Sequence, residues 1–145
     1  MSSVLRVGLG VMSNATQAPS TIANIGVVMF TVSDVDAAIA FYTEKLGFEV
    51  RSDTRFGENG EHRWVEVAPP GGDARLALNP PMRDEPGGGS IGVETADVLG
   101  EHKRLGALGV EVDEPMTPPG APAMFFARDP DGNNVWVVEA PPAGA

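Results

Sequence analysis

The sequence contains no cysteine, and only 2 of its 145 residues are histidine. Without cysteine, the chain cannot form disulfides, Cys-ligated zinc sites, iron–sulfur clusters or thiol nucleophiles. Two histidines also exclude any metal site that requires three histidine ligands. Cationic residues are scarce, with 10 Lys and Arg against 20 Asp and Glu and a net charge of −10. This acidity argues against a nucleic-acid partner, because phosphate binding depends on clustered cations.

Long apolar runs are missing as well, since no stretch approaches the roughly 18 uninterrupted apolar residues of a membrane span. We therefore expect no membrane partner. The apolar fraction of 42% and the charged fraction of 21% are typical of a folded domain. Residues 1–23 lack the pattern of a signal peptide and end in small polar residues, which predicts a flexible N-terminal extension and a cytoplasmic protein.

An internal repeat organises the rest of the chain. An apolar run at 25–32 is followed by a helical pattern that starts after the N-cap candidate Ser33 and ends at Gly47. A second apolar run at 90–95 is followed by a weaker helical pattern that ends at Gly109. Repetition on this scale indicates two copies of one supersecondary unit.

Three strand-like segments complete each copy, separated by turns rich in Gly and Pro. We predict an α+β fold of two paired βαβββ modules, whose curved mixed sheets line a cleft. The modules are expected at 24–80 and 90–140, joined by a Pro/Gly linker at 81–89 and followed by a tail at 141–145. The further predicted strands are 48–55, 62–67, 75–78, 110–113, 123–128 and 134–139.

Four motifs carry a family resemblance: 30–35 (FTVSDV), 40–42 (AFY), 45–48 (KLGF) and 129–133 (DPDGN). In this order they resemble the vicinal oxygen chelate superfamily, which includes glyoxalase I, extradiol dioxygenases and bleomycin- and fosfomycin-resistance proteins. The resemblance spans 24–140 and implies a homodimer. The last motif also contains closely spaced carboxylates, but it lacks the EF-hand pattern and favours a tight hairpin with Asx turns.

Metal-dependent members of this superfamily place four ligands at fixed strand positions. The resemblance puts those positions on Val27, Ala77, Ser90 and Trp136. Val, Ala and Trp offer no side-chain donor to a divalent cation, and Ser is a poor one. We therefore expect no metal at the usual position and no cofactor, and metal-dependent glyoxalase or dioxygenase activity is disfavoured.

Strand alternation extends the four family positions to a predicted cleft lining. On the third strand, Val65 and Val67 should face the helix, which turns Trp64 and Glu66 toward the cleft. A lining that mixes aromatic and polar side chains suits a small aromatic or amphipathic ligand. The predicted ligand-binding residues are Met29, Thr31, Trp64, Arg75, Ser90, Glu94 and Trp136.

Several of these residues also fit purely structural roles. Trp64 and Trp136 fit simple packing as well as ligand stacking. Arg75 and Glu94 are expected to pair with each other across the cleft rather than to act in catalysis. Glu66 is a candidate general base only if it is buried.

Three functions remain open from the sequence. The first is a metal-independent protein that binds a small drug or metabolite. The second is an enzyme of the same superfamily, lyase-like or dioxygenase-like, and the third is a domain without a ligand. The enzyme would use either a displaced metal held by Glu66, Glu94 and His62, or acid–base chemistry by one of these two glutamates. His62 is otherwise expected to be solvated, and His102 to be half-buried and structural.

Overall fold

The structure, a computed structural model, describes residues 19–81 and 85–141. Each module contributes, in chain order, one strand, one helix and three further strands. Parts of the predicted extension, linker and tail (1–18, 82–84 and 142–145) lie outside the described residues. The elements are β1 (Val27–Thr31), α1 (Val35–Ala40), β2 (Glu49–Phe56), β3 (His62–Ala68), β4 (Arg75–Asn79), β5 (Ser90–Thr95), α2 (Val98–Ala107), β6 (Glu111–Val112), β7 (Met124–Arg128) and β8 (Asn134–Glu139).

Each module folds into a four-stranded mixed sheet with the same topology. The strand orders are β1-β4-β3-β2 and β5-β8-β7-β6. In each sheet the first and last strands of the module pair in parallel, and the other neighbours are antiparallel. The predicted α+β fold of two repeated modules is confirmed. In the part of the chain that the structure describes, neither helix is long and apolar enough to cross a membrane.

The start of α1 differs by one residue from the prediction. Asp34, not Ser33, is the N-cap, and its carboxylate accepts a hydrogen bond from the backbone N–H of Ala37 at 3.1 Å. The N–H of Ser33 instead donates to the carboxylate of Asp131 in the other module, at 3.2 Å. The prediction that Ser33 is the N-cap was wrong. The hydrogen bond to Asp131 holds Ser33 in place before the helix begins, and Asp34 takes the N-cap position.

Beyond Ala40 the first helix widens into a π-helical turn, Phe41–Lys45. The Leu46 N–H donates to the Phe41 carbonyl five residues earlier, at 3.3 Å. This wider turn buries two consecutive aromatic side chains, Phe41 and Tyr42. The helix then ends at Gly47, whose φ of 77° confirms the predicted left-handed stop.

Strand β6 is shorter than the predicted segment 110–113. It comprises only Glu111–Val112, and its pairing with β7 is interrupted before an isolated bridge between Met116 and Met124. Pro115 lies in the interruption, and proline has no N–H to donate to a ladder. The break in pairing therefore follows from the local sequence.

A continuous apolar core lies between the sheets and the helices and draws on both modules. Val65 and Val67 of β3 are fully buried in it, as the strand alternation predicted. Burial of this kind contributes roughly 1.5–3 kcal/mol per large apolar side chain. Its largest buried members are Tyr42, Phe125, Leu78, Leu105, Val32, Val65, Val67 and Val135.

A polar contact network joins α1 and its π turn to the 129–133 turn of the second module. The Tyr42 hydroxyl donates to Asp129 Oδ2 at 3.0 Å, and Asp129 is only 5% exposed. The backbone N–H groups of Asp131 and Asn133 both donate to Asp129 Oδ1 at 2.9 Å, which confirms the predicted Asx hairpin. Burial raises the pKa of Tyr42 well above its ordinary value, and the charge of Asp129 adds to the rise.

Residues at the linker end of the second module belong to the same contact between the modules. The Gly89 N–H donates to Asn133 Oδ1 at 2.9 Å, and a Cβ at Gly89 would lie 2.6 Å from the Phe30 ring. On the opposite side of the π turn, Lys45 Nζ donates to the Leu108 carbonyl at the end of α2, at 3.0 Å. These contacts hold the two modules in one relative position.

Candidate ligand-binding groove

A groove of about 640 Å³ lies between the two modules. One wall comes from β1, β4 and the loop before β4, and the other comes from β5 and β8. Its volume falls in the range of about 300–1,000 Å³ that is typical of small-molecule sites. The apolar part of the lining comprises chiefly Val28, Phe48, Val67, Leu76, Ile91 and Val93.

The groove exists because β1 and β5 are edge strands that do not pair with each other. They approach at one end, where the Gly87 N–H donates to the Thr31 carbonyl at 3.2 Å and Gly89 contacts Phe30. Away from this contact, Val28 remains 43% exposed although it shares a strand face with the buried Phe30. An apolar side chain that should be covered therefore lines an open space between the modules.

Arg75 lies at the groove but does not pair with Glu94. Its Nη1 lies 3.3 Å from Glu66 Oε1, and its Nε donates to the Gly26 carbonyl at 3.2 Å. The predicted pairing was wrong, because Glu66 lies on the adjacent strand of the same sheet. Glu94 lies on the other sheet.

Glu66 is buried, with 9% of its surface exposed. The Trp64 indole N–H donates to its Oε2 at 2.8 Å, while Arg75 contacts its other oxygen. The carboxylate is thus held in place by one hydrogen bond and one ion pair. Both oxygens already have partners, and this arrangement suits a structural role for Glu66 better than proton abstraction from a ligand.

The four family metal positions lie on the sheet faces opposite the helices. Ala77 pairs in register with both Met29 and Glu66, and Trp136 pairs with Gly92. Within residues 19–81 and 85–141, no three His, Asp or Glu side chains lie together in an arrangement that could hold a metal ion. Glu66, Glu94 and His62 are consequently not brought together as a displaced donor set.

The two histidines have aromatic neighbours. The His62 ring lies 5.1 Å from the ring of Phe56, with about half of its side chain exposed. His102 is half-buried, with its ring edge-on to Phe125 at 5.1 Å. The predicted half-buried position of His102 is confirmed.

The structure divides the predicted ligand-binding residues between two places. Arg75, Ser90 and Glu94 line the groove. The other four lie outside this lining, on the sheet faces opposite the helices; Met29 is 62% exposed and Trp136 is 41% exposed. These four are Met29, Thr31, Trp64 and Trp136.

Sequence reasoning missed the apolar half of the groove. Val28 and Val93 alternate with the predicted lining residues, and they were therefore not included in the predicted cleft lining. Both line the groove, because the space opens between two strand edges and is bordered by both strand faces. Nothing in a strand's periodicity marks an edge that stays unpaired.

Two repeated modules with mixed four-stranded sheets, and a groove between them, define the glyoxalase type of α+β fold. The chain belongs to the Glyoxalase/Bleomycin resistance protein/Dioxygenase superfamily, whose family model matches residues 24–137.

Known relatives agree with this assignment. The chain is 35% identical over 116 residues to the uncharacterized protein YetH of Bacillus subtilis (strain 168), covering 77% of this chain and 94% of YetH. It also resembles TnmS3, an antibiotic binding protein from Streptomyces sp. CB03234, with 32% identity, a TM-score of 0.75 and coverage of 85% of this chain and 100% of TnmS3. A superfamily member from Sphaerobacter thermophilus DSM 20745 is 33% identical, with a TM-score of 0.76 and coverage of 83% and 100%.

Proposed function

We propose that the protein binds a small amphipathic organic molecule in the groove between its modules. The observation that carries this proposal is the groove itself, which has about 640 Å³ of space, mostly apolar walls and a few polar groups. Ligand sites in proteins typically combine these features. The apolar walls would cover the hydrophobic body of the ligand, and Ser90, Arg75 and Glu94 would contact its polar groups.

The likeness to TnmS3 supports the same proposal. TnmS3 is named as an antibiotic binding protein, and the similarity extends over its whole length. An aromatic or amphipathic antibiotic is therefore a sensible class of ligand to test first.

The family metal positions support binding without metal chemistry. Val27, Ala77 and Trp136 carry no side-chain atom that can coordinate a divalent cation, and both carboxylate oxygens of Glu66 are already engaged by protein groups. A ligand in the groove would meet side chains suited to contact and orientation. We infer that binding, rather than metal-assisted catalysis, is the function of this site.

Thermal unfolding tests the proposal directly. A panel of planar and amphipathic antibiotics should contain compounds that raise the melting temperature, because a ligand of the folded state stabilises it. Gly92→Leu should abolish that shift, because Gly92 lines the groove and a Cβ there meets no atom within 4 Å. The variant thus fills the groove without a backbone clash.

Trp136→Ala serves as the matched variant outside the groove. It should leave the ligand-induced shift intact, because Trp136 lies outside the groove lining and packs near Phe126 on the sheet face opposite the helix, with ring centroids 4.6 Å apart. Loss of the shift in this variant would instead place the ligand on the sheet face that Trp136 shares with its register partner Gly92. A panel without any stabilising compound would contradict ligand binding of this class.

A further inference from the structure

The turn between β2 and β3 contains the one Asn-Gly pair of the sequence, Asn59-Gly60. The backbone nitrogen that follows an asparagine can attack the side-chain amide and expel its nitrogen. Glycine favours this reaction, because it places no side chain beside the attacking nitrogen. The other asparagines precede alanine, isoleucine, proline, asparagine or valine. The sequence therefore singles out Asn59, and the structure determines whether this residue is free to react.

The structure leaves the Asn-Gly pair accessible. Asn59 is exposed and lies outside both strands of the hairpin. The Gly60 N–H donates to the Gly57 carbonyl at 3.2 Å, which is at the long end of the range for such bonds. Exposed turns open locally at low free-energy cost. The Gly60 nitrogen can therefore approach the Asn59 amide carbon without unfolding of the sheet.

The asparagines of the 129–133 turn and β8 lie in the opposite environment. Asn133 is fully buried, its Oδ1 accepts from the Gly89 N–H and its Nδ2 donates to Asp129, both at 2.9 Å. The nitrogen that would attack Asn134 belongs to Val135, which is fully buried in the central part of its sheet. The fold thus holds these two side chains away from the reaction geometry.

We propose that Asn59 is a site of spontaneous deamidation in the folded protein. The Gly60 nitrogen forms a bond to Asn59 Cγ and loses its proton, and the side-chain nitrogen leaves as ammonia. The product is a cyclic succinimide between the two residues. Water then opens the ring at either carbonyl, which gives aspartate or isoaspartate, and no other reactant is consumed. The inference is independent of the proposed function, because no residue of the turn 57–61 belongs to the groove lining.

Glu61 restrains this turn and would be disturbed by the product. Its carboxylate accepts a hydrogen bond from the Asn59 N–H at 2.9 Å and lies over Gly57, where a Cβ would be 2.8 Å from Oε1. An aspartate at position 59 would place a second negative charge beside this carboxylate. Isoaspartate would lengthen the main chain of the turn by one carbon. Either product should loosen the contact between Glu61 and the turn.

Incubation of the folded wild-type protein at mildly alkaline pH, followed by trypsin digestion and mass spectrometry, tests the proposal. Cleavage after Arg55 and Arg63 isolates the peptide 56–63, in which Asn59 is the one asparagine. We expect this peptide to change into its acid form and to become a substrate of an isoaspartyl methyltransferase. The peptide 129–145, with Asn133 and Asn134, should stay unmodified. A sample digested without incubation gives the starting level.

Four variants test the chemistry and the restraint. Gly60→Ala should slow the conversion several-fold, because a methyl group crowds the attacking nitrogen. Gly120→Ala is its matched control, since both glycines adopt positive φ, 66° and 77°, and it should leave the rate unchanged. Glu61→Ala should accelerate the conversion, because the turn loses its restraint. Glu58→Ala removes the same charge from the same turn and should accelerate it less.

Each outcome bears on one step of the inference. An unmodified Asn59 in the folded wild-type protein would overturn the proposal, and so would conversion of Asn133 as fast as that of Asn59. Equal rates in Gly60→Ala and the wild-type protein would contradict attack by the Gly60 nitrogen. Equal acceleration by Glu61→Ala and Glu58→Ala would contradict the restraint by Glu61, because the effect would then come from charge alone.

Discussion

Replacing Tyr42 by Phe removes one hydroxyl from the contact between the two modules. The ring should stay in place, because it packs against Phe30, Phe41 and Phe48, with centroid separations of 6.4, 5.1 and 5.6 Å. The lost interaction is the 3.0 Å hydrogen bond from the hydroxyl to Asp129 Oδ2. The substitution therefore isolates one buried polar contact between the modules.

The expected loss of unfolding free energy is about 2 kcal/mol. Hydrogen bonds to charged groups contribute about 1.5–3 kcal/mol. The lower half of this range applies here, because Asp129 Oδ2 keeps a second donor, the side-chain amide of Asn133 at 2.9 Å. Urea unfolding of the wild-type and Phe proteins at neutral pH measures the difference.

Alkaline pH provides a second readout of the same contact. Because burial and Asp129 raise the pKa of Tyr42, the folded state retains a proton that the unfolded chain releases. The resulting stabilisation is complete below the ordinary tyrosine pKa of about 10 and is lost as the pH rises above it, by up to about 1.4 kcal/mol per pH unit. Tyr42→Phe should lack this loss.

The sequence contains 1 tyrosine, so tyrosinate absorbance reports on Tyr42 alone. Tyrosinate that appears near pH 10 in the folded wild-type protein would refute the buried hydrogen bond, as would equal unfolding free energies of the two proteins at neutral pH. Thr43→Val is the matched control. Its hydroxyl donates only to the Ile39 carbonyl of the same helix, at 2.8 Å, and its loss should cost less than about 1 kcal/mol.

Two further substitutions and one chelator experiment test other features of the structure. Gly89→Ala should destabilise the protein by about 1–3 kcal/mol in urea unfolding, because its Cβ would lie 2.6 Å from the Phe30 ring. Gly92→Ala is the control and should be nearly neutral. Similar losses of unfolding free energy in the two variants would contradict the close approach at Gly89. Arg63→Gln should lower the unfolding free energy by less than about 1 kcal/mol, and only at low salt. Arg63 lowers the pKa of the Asp53 carboxyl, so the stabilisation from this pair should vanish as the pH falls below about 4. A chelator should leave the melting temperature unchanged, and a metal-induced rise that the chelator reverses would disprove a metal-independent site.

Local sequence determined the elements of this fold. Strands β5 and β8 have the predicted bounds, because their apolar alternation and flanking turn residues act over a few positions. Gly47 and Gly109 end the two helical segments, since glycine adopts positive φ without strain. The burial of Val65 and Val67 also followed from alternation alone.

Only the tertiary structure determined which side chains and which open space each predicted strand face meets. Periodicity assigned Arg75, Ser90 and Glu94 to a cleft, but it could not show that Glu66 pairs with Arg75 or that Trp136 lies outside the groove lining. The groove arises where two edge strands from different modules approach without pairing. That separation depends on the contacts of Tyr42 and Gly89 across the modules, and these contacts join residues far apart in the chain. Sequence periodicity describes a single segment, whereas a space between segments depends on how they pack against each other.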